Sequence, residues 1–207
     1  MKKNFIAFVS AILVVASFEI PASAATITNS SVTIASVSAT STVPSKTPGG
    51  LSAGTEQVSG IGSIKKQIYA AGGDDISVAV AMLESKGMNQ SDDTKSGDAA
   101  NYTIFNMNWY AIRVKLYPSL GPNDAYKVKS QFTGSISNQT KTFMKYKSSW
   151  GSNFYKIHRG GQSALSGAYA SQVADYQDAI QFIAKQLANN PSFRSDDTRV
   201  WVSVPYI

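Results

Sequence analysis

Glu84 is the side chain whose type and position point most directly to chemistry. It ends the run Ile76-Ser77-Val78-Ala79-Val80-Ala81-Met82-Leu83-Glu84, the most apolar helical pattern in the chain. Its neighbours one turn back, Val80 and Ala81, lay its stem along an apolar face. Burial disfavours the charged carboxylate, and so does the negative end of a helix dipole. Both influences push the acid's pKa up, and a carboxyl that keeps its proton near neutral pH is suited to general-acid work. The plainer alternative is a helix-end glutamate turned into solvent beside Lys86.

Other carboxylates follow closely. The polar stretch Met88 to Gly97 contains Asp92 and Asp93, and Asp98 comes directly after it. Asp98 precedes Ala99-Ala100-Asn101 and an apolar pattern through Phe105, Trp109 and Ile112, so it is expected to cap a helix there. Asp92 and Asp93 have no helix to cap and are either solvated or free for chemistry. A glutamate ending a buried helix, followed by a polar loop bearing an aspartate, is the arrangement of lysozyme-like glycosidases. There, two carboxyls flank a glycosidic bond.

The candidate substrate contacts are Asn101, Asn108, Trp150 and His158. Aromatic faces pack on the apolar faces of sugar rings, and the chain has ten Tyr and three Trp. Trp109, on an apolar stripe, and Trp201, in an alternating segment, are expected in the core. Trp150 is followed by Gly151 and is the better candidate for exposure. His158 is the single histidine, in Lys156-Ile157-His158-Arg159-Gly160-Gly161. The glycines suggest a loop in which it either bonds a substrate or serves structure. Gly160-Gly161 lacks the spacing and the Lys-Ser/Thr of a phosphate loop. Glycosylation sequons begin at Asn29, Asn89, Asn101 and Asn138. A glycan on a cleft-lining Asn101 would block the cleft, so this residue is expected to be buried and unmodified.

Composition removes several alternatives. With no cysteine there is no disulfide, thiol nucleophile or zinc-thiolate site. One histidine makes a multi-histidine metal site implausible, and no metal or cofactor is expected. The net charge of +6, from 19 basic and 13 acidic residues, is not gathered into long basic runs, which disfavours nucleic-acid binding. At 43% hydrophobic and 15% charged, the chain of 207 residues is too apolar to be disordered throughout.

The elements that must position these residues are mostly helical. Ile61, Ile64 and Ile68 recur at helical spacing until Gly72-Gly73, and Asp74 or Asp75 can cap the buried helix that ends in Glu84. Further helices are expected near 123–132 and 139–149, and from about Ser171 to Ala188. The alternating Val200 to Val204 reads as a strand. The fold class is therefore mainly α with a small β component. Ahead of this, Lys2 and Lys3, the uncharged run Phe5 to Phe18, and Ala22-Ser23-Ala24 have the form of a signal peptide cleaved after residue 24. Residues 25–55 read as a Ser/Thr-rich linker and 56–207 as one domain. The expected product is secreted, monomeric and not membrane-bound.

The strings Ala81-Met82-Leu83-Glu84, Asp93-Thr94-Lys95-Ser96-Gly97-Asp98-Ala99-Ala100-Asn101, Ile104-Phe105, Asn108-Trp109 and Asp196-Asp197-Thr198-Arg199-Val200-Trp201-Val202 together resemble glycoside hydrolase family 134. The resemblance covers most of the chain after Glu56. It implies a lysozyme-like domain and an endo-β-1,4-mannanase acting on mannan with inversion, without cofactor. It assigns Glu84 as general acid and Asp93 as general base. The loop between them is shorter than the family's and carries Asp92 where the family has Gly, so Asp92 is the other candidate base. A lysozyme-like hydrolase of another polysaccharide, or a carbohydrate-binding protein that has lost catalysis, are the alternatives.

Overall fold

A computed structural model describes residues 42–89 and 93–207. In chain order these form β1 (Ala53–Gln57), α1 (Ile61–Ala70), α2 (Asp75–Glu84), β2 (Asn101–Tyr102), β3 (Met107–Asn108), α3 (Trp109–Leu116), α4 (Lys129–Phe132), α5 (Ile136–Trp150), α6 (Phe154–Leu165), α7 (Ala170–Asn189) and β4 (Thr198–Val202). Short 3-10 turns join several of them. The architecture is mainly α with a small β component. The expected signal peptide and most of the expected linker, Asn29 included, lie outside the described residues.

Described structure is present ahead of Glu56. Ala53–Gln57 pair antiparallel with Thr198–Val202, and Thr47 donates a hydrogen bond to Asp178 on α7. A five-residue edge strand in a Ser/Thr-rich stretch carries little periodicity, so its partner across the chain decides its fate. Gly54 is required there: the Trp201 ring lies where a Cβ would sit, 2.8 Å from the nearest ring atom.

α2 is the central element. Ser77 to Met82 are all buried, and the helix lies between α7 and β4. Asp74 caps its start in a reciprocal capping box with Ser77. At its other end, Arg199 donates from Nε (3.1 Å) and Nη2 (2.8 Å) to the Met82 carbonyl, and from Nη1 (2.7 Å) to Glu56. Glu56 and Arg199 face each other in the β1–β4 register. The small sheet thus satisfies the helix end that carries Glu84, and places a cation at the negative end of its dipole.

The helix expected from Asp98 to just before Pro118 is instead a 3-10 turn (Gly97–Ala99), the β2–β3 hairpin and α3, which ends at Leu116. Thr103 (φ 74°) and Asn106 (φ 52°) adopt left-handed backbone, which interrupts any helix. Asp98 caps nothing: its carboxylate forms a two-pronged ion pair with Arg113 on α3 (2.5 and 2.6 Å). The expected loop around His158 is helical: α6 runs from Phe154 to a break at Gly161 (φ 60°), beyond which a second short helical stretch reaches Leu165. No helix among the described residues is long and apolar enough to cross a membrane.

Candidate active site

The Glu84 side chain is 11% exposed. Tyr176 on α7 donates its hydroxyl to Glu84 Oε1 at 2.5 Å, and the Asn106 amide donates to Oε2 at 2.9 Å. The Nε2 atom of His158 stands 3.6 Å from Oε1. Burial is the largest single influence on this carboxyl and pushes its pKa up. The His158 imidazole and the Tyr176 and Asn106 donors, all favouring the anion, together outweigh it, and the net direction is downward. This reverses the direction expected from the apolar helix alone. Burial and the adjacent Glu84 charge push the Tyr176 phenol well above its ordinary range, so it remains a donor.

Asp93 is held differently. It is half-buried, and it accepts from the Asn101 amide at 2.8 Å and from the Lys95 backbone N–H at 3.1 Å. The Asn108 amide in turn donates to Asn101 Oδ1 at 3.3 Å. Asn101 and Asn108 are register partners in the β2–β3 hairpin, and Asn106 is in its turn. One hairpin therefore grips Asp93 at its base and Glu84 at its tip. Asn101 is half-buried, with its amide nitrogen engaged by Asp93. Asp92 lies outside the described residues.

Two cavities border these groups. One, of about 500 Å³, is lined by Glu84, Asn106, Tyr176, Arg159 and Tyr206 among others. The second, of about 620 Å³, is lined by Asn101, Asn108, His158, Arg159, Tyr169 and Tyr206 among others. Arg159 and Tyr206 border both. Arg159 also lies over the Tyr176 ring, 5.4 Å from its centre, and donates to the Pro205 carbonyl. A larger cavity of about 780 Å³, between Thr42–Pro48 and α7, contains neither carboxylate. Among the described residues, no group of three His, Asp or Glu side chains is placed to hold a metal ion.

The candidate contacts separate into two sets. Asn101, Asn108 and His158 gather around the carboxylates. Trp150 does not: its ring is half-buried against the core, its Nε1 donates to the Ala111 carbonyl at 3.0 Å, and Lys115 covers one face. A helix-terminal tryptophan before Gly151 is anchored because its indole N–H finds the carbonyl of the neighbouring α3. Sequence reasoning missed Asn106, Arg159 and Tyr176. Asn106 had a readable signal, since asparagine tolerates the left-handed backbone of a tight turn. Tyr176 falls on the apolar face of the long C-terminal helical pattern, and Arg159 offered no signal beyond its place beside His158.

The sequence model of glycosyl hydrolase family 134 matches residues 62–204, a stretch that includes both carboxylates and the hairpin between them. No curated protein matches the chain.

Proposed function

The chain belongs to glycosyl hydrolase family 134 and is a glycoside hydrolase; from that premise we propose that it is a secreted endo-β-1,4-mannanase acting by single displacement with inversion. Glu84 protonates the departing glycosidic oxygen while Asp93 takes a proton from the water that attacks the opposite ring face. Electrons of the water oxygen form the new bond to the anomeric carbon as those of the old bond leave with the sugar oxygen.

The observation that carries this reading is the double grip of the β2–β3 hairpin. Asn106 donates to Glu84, Asn101 donates to Asp93, and each carboxyl is thereby fixed relative to one short rigid unit. Positioning of this kind is what a two-carboxyl mechanism needs, because misplacement by an ångström costs rate steeply. Asp93 is open enough to meet a water molecule, and Glu84 is enclosed. The cavity linings offer the rings of Tyr169, Tyr176 and Tyr206 and the amides of Asn101, Asn106 and Asn108, groups suited to a polysaccharide. In this account, residues 1–24 direct export and the enzyme works as a monomer.

The test is reducing-sugar release from linear β-1,4-mannan by the wild type and by Glu84→Gln. Loss of about 10²–10⁴-fold in the variant is expected for removal of a general acid. Release that survives the substitution would remove Glu84 from that role. No release by folded wild type would point to another polysaccharide, or to binding without catalysis.

A further inference from the structure

His158 has surroundings that a substrate contact does not need. Its side chain is only 1% exposed and is enclosed by the rings of Phe143, Tyr146, Phe154 and Tyr176. Nδ1 lies 3.3 Å from the Tyr146 hydroxyl. Among the described residues, Nε2 is buried with no hydrogen-bond partner and faces Glu84 Oε1 at 3.6 Å. A buried polar atom without a partner is costly unless another state uses it. The distance is slightly longer than a hydrogen bond, as catalytic pairs often are before substrate closes the site.

The groups facing this pair are few. Glu84 comes from α2, and Asn106 from the hairpin turn. Tyr146 comes from α5, Tyr176 from α7, and Arg159 from α6 itself, over the Tyr176 ring. Burial pushes both phenols up, so neither competes for the proton. His158 Nε2 and Glu84 Oε1 thus face each other within this enclosure.

We propose that His158 is a positioning residue that stores the proton Glu84 delivers. This rests on Glu84 being the general acid. In the resting protein the proton is on Nε2 and Glu84 is the carboxylate. When substrate fills the cleft, the Nε2–H bond breaks and an Oε1–H bond forms, leaving neutral imidazole and a protonated Glu84. Glu84 then gives its proton to the leaving sugar oxygen as the glycosidic bond breaks. Asp93 releases to solvent the proton it took from water, and His158 is reprotonated from solvent. The net change is hydrolysis alone. Because the proton is held by either member of the pair, it stays available to Glu84 from one turnover to the next.

The experiment uses the full-length protein with ¹³C-labelled glutamate carboxyls; the sequence has only Glu19, Glu56 and Glu84 to assign. The Glu84 titration is followed by NMR beside the pH profile of kcat on linear mannan, in the wild type and in His158→Gln. Gln keeps a donor near Glu84 but carries no titratable proton. In the wild type, activity is expected to persist well above the pH at which the Glu84 carboxyl ionises. In the variant the carboxyl titration is expected to shift upward, and the alkaline limb of kcat to fall onto it, with KM unchanged. His158→Phe, which refills the aromatic enclosure, is expected to give the same carboxyl shift and serves if Gln disturbs folding. A carboxyl titration indifferent to both substitutions overturns the proposal. So does a wild-type alkaline limb that already coincides with it. If mannan is not the substrate, the activity arm is silent while the carboxyl shift still decides whether the couple exists.

Discussion

The surroundings of Glu84 and those of Asp93 solve opposite problems. Glu84 terminates a helix buried on nearly every side, and its three polar neighbours come from α6, α7 and the hairpin turn. Asp93 sits on a loop, half-exposed, held by one amide side chain and one backbone N–H. An acid must have its proton affinity set by its environment, which calls for enclosure and fixed donors. A base that activates water must meet water, which calls for an open site and orientation only. The difference shows that two carboxyls of one reaction can be built by different means, core packing for one and a hairpin for the other.

That contrast is sharpest at the hairpin. Asn101→Ala removes the amide that orients Asp93, and kcat is expected to fall about tenfold to a hundredfold with the fold intact, measured by mannan hydrolysis beside circular dichroism. An unchanged kcat would mean Asp93 needs no orienting. The acid side should respond in stability. Arg199→Met strips the donors from the Met82 carbonyl and leaves Glu56 without its guanidinium, and about 1–3 kcal/mol is expected to be lost in urea unfolding.

The acid side also carries a pH response. The folded pKa of Glu84 lies below its unfolded value, so its ionised form adds stability above the ordinary glutamate range. That contribution is lost as pH falls through the folded value. Glu84→Gln is therefore expected to flatten the acid limb of stability, read as melting temperature against pH. The smallest effect is expected outside both regions: Trp150→Phe loses the bond to Ala111, about 1 kcal/mol, with kcat and KM unchanged. A clear rise in KM there would restore Trp150 as a sugar platform.

The acid side was legible in the sequence because a buried helix announces itself by an apolar run, and Asp74 and Gly72-Gly73 mark its start. The long α7 was equally plain from Val173, Tyr176, Ile180, Ile183 and Leu187. The hairpin was not. Strands of two residues have no period to read, and the apolar spacing of Phe105, Trp109 and Ile112 imitates a helix. Left-handed backbone at Thr103 and Asn106, which breaks that imitation, is settled by tertiary contacts such as Asn106 with Glu84. The direction of the Glu84 pKa was misread for the same reason. Apolar neighbours along one helix are visible in sequence, whereas His158, Tyr176 and Asn106 arrive from 74, 92 and 22 residues away.

The most direct test of the paired-carboxyl account is the anomeric configuration of the first sugar released, followed by ¹H NMR within the opening minutes of mannan hydrolysis. Attack by an Asp93-activated water on the face opposite Glu84 predicts the α-anomer first, equilibrating later to the mixture. The β-anomer first would mean retention through a covalent intermediate, and would contradict the roles given to both Glu84 and Asp93.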